Sequence, residues 1–383
     1  MMNRDELHRR WVQAERILLV LPMALGDFCY QHLVIGAVQA RYPGKVWDVM
    51  FDEAFHTNRF HQGGGKLVNP IICEWAEDTG LFRHVYTEMY RGTSVADCMT
   101  TARAAAYDVV IALSGRGQLQ VLRACRTIAP QAVLMAWEPE TCWWKLGRDV
   151  REYRRIVDAE IPFIVEKGGH IIDSYLRFFR VFAEVEADWA QVPQMTVPDA
   201  ARSSAAKVLA EYGVTSDTPV IFINAFAKNR KRTWPLSHVA KLVQLLSQDA
   251  PWTDAIWLVN GMPDDRAAVE TMIRRSDGTR MHFFSATEEF WELPAMLAGS
   301  DLVISVETSV MHLASLLHRP QVVLMRQKAP HWRPLRREDC TIVTTRRRRD
   351  TMSAITPDEV AAAVRKQYGS SRVSLEENGQ DRR

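Results

Sequence analysis

The sequence predicts an α/β protein built from two doubly wound parallel-sheet domains. Three observations predict it. Short, continuous apolar runs recur along the chain, each followed by a helical pattern, as parallel strands covered on both faces require. The 383 residues exceed what one domain ordinarily holds. Residues 188–200 (DWAQVPQMTVPDA), with two prolines and no clear period, divide the rhythm in two.

Taken in order, the first domain (1–187) is expected to carry strands at 17–21, 46–51, 84–86, 109–113 and 132–136. Helical patterns lie at 28–42, 96–106 and 119–128, and a helix at 171–187 (IIDSYLRFFRVFAEVEA) closes the domain. After the linker, the second domain (201–368) repeats the scheme. Its strands are expected at 220–224, 255–260, 281–285, 302–305 and 321–325, and its helices at 236–246, 264–274, 290–297 and 310–317. A last helix at 357–368, with Thr356 as its N-cap, is a candidate to pack back across the first domain. Residues 369–383 are polar, lack aromatics and are expected to form a flexible tail. Domains of this kind bind ligands in a cleft at the carboxyl ends of their strands.

Composition is that of an ordinary globular protein, 47% hydrophobic and 25% charged. A formal net charge of +2 gives no global signature of a nucleic-acid binder. The six cysteines are scattered and none forms a CxxC pair, so neither a zinc site nor a disulfide framework is expected, and the thiols read as reduced. The opening MMNRDELHRRWVQAER is too charged for a secretory signal, and no apolar run approaches the ~20 residues that cross a bilayer. A cytoplasmic, soluble protein is expected. The run RRRR at 346–349 reads as solvated surface or a patch facing an anionic glycolipid.

Four stretches can carry chemistry. In VLPMALGDFCYQ, Gly26 and Asp27 sit between the first strand and its helix, where a helix N-terminus is presented. The glycines of a dinucleotide fingerprint are absent, and a carboxylate there would repel a phosphate. Asp27 reads either as a helix cap or as a general base for an acceptor hydroxyl, and the two roles are compatible. In NAFAKNRKRTWP, residues 224–235, Lys228, Arg230, Lys231 and Arg232 crowd before a helix N-terminus, an arrangement that opposes the helix dipole unless an anion compensates. A solvated basic loop is the plain alternative. In SVETSVMHLA, residues 305–314, Glu307, Thr308 and Ser309 suit first-turn chemistry, with His312 one turn in as a ligand contact or a buried core histidine. In GMPDDR, residues 261–266, an aspartate either caps a helix or meets a ribose diol.

These stretches, in this order, resemble glycosyltransferase family nine, the ADP-heptose:lipopolysaccharide heptosyltransferases. RILLVLPMALGDFCYQHLVIGAVQARYPG is similar to that family's opening strand, LGD turn and helix ending in YPG. FINAFAKNRKRTWPLSHVAKLVQLL resembles its second-domain start, where a basic residue precedes WP. DLVISVETSVMHLASLLHRPQVVLM resembles its D-(S/T)-G-x-x-H-x-A signature and the RP strand that follows.

The resemblance implies the GT-B fold of two Rossmann-like domains and metal-independent, inverting transfer of a heptose-like sugar from a nucleotide donor, ADP-heptose, to a lipopolysaccharide core or related surface glycan. It places Asp27 as general base, with Gly26, Ser114 and Arg116 on the acceptor side. It assigns Lys228, Lys231, Arg232, Thr308 and Ser309 to the donor phosphates, and Asn224, Asp265, Glu307 and His312 to nucleotide and sugar. No cofactor beyond the donor substrate, no metal and no nucleic acid is implied; peripheral contact with the inner face of a bacterial inner membrane is. The chain departs from the family pattern at Glu307, where the family has aspartate, and at Ser309, where it has glycine. Arg232 replaces the family lysine, Tyr30 replaces a frequent histidine, and residues 138–167, with REYRR, have no counterpart. Those departures leave open another nucleotide sugar, a protein acceptor, or a member that binds nucleotide or glycan without catalysis.

Overall fold

The computed structural model describes residues 1–52, 71–86, 95–114, 118–139, 148–189, 192–327, 330–336 and 338–378. The chain divides into two compact units, Met1–Ala187 and Asp188–Arg383.

In the first unit the order is α1 (Arg4–Gln13), β1 (Arg16–Pro22), α2 (Leu25–Arg41), β2 (Val46–Asp52), α3 (Ile71–Asp78), β3 (His84–Tyr86), α4 (Val95–Ala104), β4 (Val109–Ala112), α5 (Gln118–Ile128), β5 (Val133–Trp137), α6 (Arg148–Ile156), β6 (Ala159–Ile161) and α7 (Ile171–Ala183). All strands are parallel, in the sheet order β3-β2-β1-β4-β5-β6. Burial explains the continuous apolar runs: every residue of β1 except Arg16, and every residue of β4 and β5, is shielded from solvent.

Helix α1 is one element the apolar rhythm does not reveal. Asn3 caps it by accepting the Glu6 N–H at 2.9 Å, and Leu7 and Trp11 fall on its buried face one turn apart. Trp11 meets Tyr42, Trp47 and Phe182 edge to face at ring separations of 5.5, 5.7 and 5.1 Å. The Lys45 ammonium closes the helix by donating to the Trp11 carbonyl at 2.6 Å. Strand β6, three residues at a sheet edge, also escapes the pattern.

The second unit runs α8 (Asp199–Glu211), β7 (Val220–Asn224), α9 (Leu236–Leu246), β8 (Ile256–Asn260), α10 (Arg266–Arg274), β9 (Arg280–Phe284), α11 (Glu292–Ala298), β10 (Leu302–Val306), α12 (Ser309–Leu316), β11 (Gln321–Met325), β12 (Cys340–Thr344) and α13 (Pro357–Asn378). Its sheet order is β12-β11-β10-β7-β8-β9. Counted from each unit's own first strand, both sheets have the order 3-2-1-4-5-6, that of the doubly wound dinucleotide-binding fold. The expected two-sheet α/β architecture is therefore present, with one strand added at the edge of each sheet.

Thr356 and Glu359 form a reciprocal cap at the start of α13, with the Thr356 N–H donating to Glu359 at 2.8 Å and the Glu359 N–H to the Thr356 hydroxyl at 3.3 Å. This helix packs on α9 and β12 of its own unit. Tyr368 lies 4.4 Å from the Trp252 ring, and the Thr341 hydroxyl donates to Gln367 at 2.7 Å. Within the second unit, its apolar Val360, Ala361 and Val364 are buried in the core. The helix also runs past Tyr368 to Asn378, through most of the stretch expected as tail. Among the described residues no helix is long and apolar enough to cross a membrane.

Candidate active site

In a sheet of this order, the strand ends that diverge to opposite sides open a crevice where ligands bind. In the first unit those strands are β1 and β4; in the second they are β7 and β10. Gly26, Asp27 and Ser114 follow the first pair, and Asn224, Glu307, Thr308 and Ser309 lie at the second, while Asp265 follows the neighbouring β8.

At the end of β1, Pro22 accepts the Ala24 N–H at 2.7 Å, and the chain turns at once into α2. The helix starts at Leu25, three residues before the predicted start, with Ala24 as a cap that contributes no side-chain bond. Asp27 is thus the third residue inside the helix and not its cap, although its charge still suits the dipole. Its Oδ1 accepts the Tyr175 hydroxyl of α7 at 2.8 Å. Burial pushes the carboxyl up to about 6, against the opposing pull of that hydroxyl and of its own backbone N–H. Tyr175 stays protonated, because burial and the Asp27 charge both raise it. The arrangement is a carboxylate that titrates near neutrality, held at one oxygen, with no side-chain partner for the other among the described residues.

Gly26 occupies the second position of the same helix. Ser114, just past β4, is buried and donates to Asp52, the last residue of β2 and the ladder partner of Pro22. Its hydroxyl thus ties the ends of the strands that flank β1. Arg116 lies outside the described residues, as do residues 140–147 of the unmatched stretch.

In the second unit the ends of β10, β7 and β8 are joined by a polar relay. Asn224 donates to the Thr308 hydroxyl at 2.9 Å and to Ser305 at 3.2 Å, while its own carbonyl accepts from Asn260 at 2.8 Å. Thr308 is the cap residue of α12 by position and extended backbone, yet makes no cap bond. Its hydroxyl is engaged with Asn224, and the first amides of α12, beginning at Ser309, receive no side-chain cap. Uncapped amides at a helix N-terminus suit a phosphate.

Glu307 precedes them and is buried. It accepts the Arg326 N–H at 2.5 Å and pairs with the Arg326 guanidinium at 3.3 Å, at the neighbouring end of β11. The longer acid in place of the family's aspartate is therefore spent on holding the next strand's end. His312 is buried one turn into α12, its ring 6.1 Å from Trp332.

The basic stretch folds into a closed turn. Trp234 is fully buried, donating its indole N–H to Ile355 at 2.9 Å and its backbone N–H to Ala225 at 2.8 Å. Arg230–Arg232 form a single 3-10 turn capped by Asn229, which accepts the Lys231 N–H at 3.0 Å. Lys228 and Lys231 are exposed and Arg232 is half-buried. Arg230, Lys231 and Arg232 form no ion pair among the described residues. Asp265 ends a 3-10 turn and accepts the Met262 N–H at 2.9 Å. Gly261 packs closely there: a Cβ would lie 3.0 Å from the Asp265 Cβ and 3.2 Å from Phe283, a tight fit that one of them must yield to. Among the described residues no group of three His, Cys, Asp or Glu side chains gathers as a metal site.

Sequence reasoning missed Tyr175, Asp52, Asn260, Ser305 and Arg326. Asn260, Ser305 and Asp52 carried a usable signal, being polar residues at the ends of apolar strands. Tyr175 carried none, because its partner lies 148 residues away.

Two parallel sheets of this strand order, each with its polar groups gathered at the point of divergence, define a two-domain α/β protein of the GT-B class. The chain belongs to glycosyltransferase family 9 (heptosyltransferase), whose family model matches residues 100–357. A glycosyltransferase family 9 structure from Veillonella parvula is similar at a TM-score of 0.71 and 14% identity, covering 96% of this chain and 98% of that one. The Escherichia coli ADP-heptose lps heptosyltransferase II matches at 0.69 and 16% identity, over 93% and 99% of the two chains. The E. coli heptosyltransferase WaaC with ADP matches at 0.59 and 16% identity, over 92% and 99%. No curated protein matches the sequence.

Proposed function

We infer that this chain transfers a heptose-like sugar, with inversion, from an ADP-linked donor to a lipopolysaccharide core or related surface-glycan acceptor. The observation that carries the reading is Asp27: a carboxylate at the carboxyl end of β1, titrating near neutrality, in a member of a glycosyltransferase family. A base for a sugar hydroxyl must be ionised at working pH and still basic enough to take a proton, which a carboxyl at about 6 satisfies.

In this reading the Asp27 carboxylate accepts the acceptor's hydroxyl proton as that oxygen bonds to the anomeric carbon of the donor. The bond from that carbon to the diphosphate breaks, and ADP departs with the electron pair. The developing charge is met by Lys228, Lys231 and Arg232 and by the first amides of α12, with Thr308 and Ser309. Asn224 sets Thr308, Asp265 takes the ribose, and Glu307 and His312 border the sugar. Gly26, Ser114 and Arg116 belong to the acceptor side. The ADP specificity rests on the relatives solved with ADP or named for ADP-heptose. No cofactor is assigned, and the reading puts the protein in the cytoplasm, in peripheral contact with the inner face of the inner membrane. One observation favours a different sugar on the same nucleotide: both Glu307 oxygens are engaged by Arg326.

The test is Asp27→Asn assayed for ADP release from ADP-heptose with a lipopolysaccharide-core acceptor, beside calorimetric ADP binding. Transfer should be lost with ADP affinity unchanged. Normal turnover by the variant would remove Asp27 as the base.

A further inference from the structure

The part-buried contact between Asp27 and Tyr175 has geometry that a cap or a packing role does not require. A carboxylate in the first turn of a helix is ordinarily free to rotate into solvent. Here one oxygen is pinned at 2.8 Å by a phenol from a different helix, and the phenol itself is only 4% exposed. The phenol is fixed in turn. Helix α7 is anchored by His170, which accepts the Ile172 N–H at 3.1 Å while its own N–H donates to Asp173 at 3.0 Å. The His170 ring stands edge-on to Tyr30 of α2 at 4.7 Å, so the two helices are locked beside the contact. The Tyr175 ring packs against Trp137 at 6.2 Å.

We propose that Tyr175 is a positioning residue for Asp27: its hydroxyl fixes the carboxylate's orientation, leaves one oxygen for the incoming proton, and keeps the group ionised at neutral pH. The proposal rests on the reading of Asp27 as the base. A hydrogen bond donated to a carboxylate favours its charged form, so it opposes the burial that pushes this carboxyl up. Tyr175 does not compete for the proton, since its own ionisation is displaced far upward. Among the described residues, the titratable groups that interact with Asp27 are Tyr175 from α7 and Cys29 on α2 itself, whose thiol burial holds protonated. No cation is among them. The phenol is thus the one side-chain donor there that sustains the negative charge.

The experiment compares the full-length wild type with Tyr175→Phe, Asp27→Asn, Phe179→Leu and the double variant Tyr175→Phe/Asp27→Asn. Thermal midpoints from pH 4 to 9 are read without substrate. The pH at which the difference between each Asp27 protein and its Asp27→Asn counterpart levels off reports the Asp27 titration. That point should lie near 6 in wild type and rise by about one pH unit in Tyr175→Phe. Phe179→Leu, a change to a buried neighbour on α7 that does not touch Asp27, should lower the midpoint equally at every pH. In the transfer assay with ADP-heptose, Tyr175→Phe should lose about fivefold more activity at pH 6 than at pH 8.5. A levelling point that stays near 6 overturns the proposal, as does a Tyr175→Phe loss that is the same at every pH. Turnover by Asp27→Asn overturns instead the reading on which the proposal rests.

Discussion

Changing Asp27 to asparagine should make the protein more stable at neutral pH while it removes the proposed base. In the folded chain this carboxyl titrates at about 6 and not at its ordinary 3.8, because burial disfavours the charge. Below pH 3.8 folded and unfolded states both hold the proton and the group is neutral to stability. As pH rises toward 6 the unfolded chain releases its proton more readily, and folding loses free energy; the loss is complete above about 6. A tenfold change in proton affinity is worth ~1.4 kcal/mol, so the upper bound is ~3 kcal/mol. Asp27 keeps partial contact with solvent, and screening brings the expected penalty to ~1.5 kcal/mol. For a domain of this size each kcal/mol moves the thermal midpoint by ~2–4 °C. Calorimetric scans of wild type and Asp27→Asn should therefore coincide near pH 4 and separate by ~3–6 °C at pH 7.5, with the variant higher. A variant that is no more stable at pH 7.5, or that is offset by a constant amount at every pH, would refute the reasoning. Instability of this kind is what a carboxylate kept basic for a reaction costs the fold.

The second unit gives two more. Glu307→Gln keeps an acceptor for the Arg326 N–H but leaves the guanidinium without its counter-charge, and should cost ~1–2 kcal/mol, read as a midpoint ~2–8 °C lower by calorimetry; an unchanged midpoint would show that the pair carries no stability. Asn224→Ala removes the donor to Thr308 and Ser305 and the acceptor for Asn260, so ADP affinity measured by titration calorimetry should fall about tenfold or more, with the Asp27-dependent pH profile unmoved. Retained affinity would separate the relay from nucleotide binding.

Much of this architecture was legible in the sequence, because parallel strands buried on both faces leave continuous apolar runs, and these located ten of the twelve strands among the described residues. The two that escaped, β6 and β12, both lie at sheet edges; β6 has three residues, and no residue of β12 is fully buried, so neither leaves a continuous buried apolar run. Helix ends were harder. Glycine and aspartate in LGD argue for a cap, yet the turn closes earlier, at Ala24, because Pro22 ends the strand and its carbonyl accepts the Ala24 N–H. The tail was read as disordered from composition, but its polar residues extend a helix already anchored by Val360, Val364 and Tyr368.

The site divides along the same line. Residues that follow a strand end are found by position: Asp27, Asn224, Glu307 and Thr308 each close an apolar run. Partners that reach the site from elsewhere are not, and these decide what the found residues do. Tyr175 turns a helix-capping type of residue into an oriented, ionisable acceptor, and Arg326 turns a sugar-facing acid into a buried ion-pair partner. The two contacts are alike in kind: in each, one carboxylate has a partner that its own neighbours in sequence do not specify. A motif therefore identifies the place where chemistry is available, while the group packed against it from a distant element sets protonation and reach. That is why Glu307, read from its motif as equivalent to an aspartate one methylene shorter, is the position from which a change in donor sugar is most directly argued.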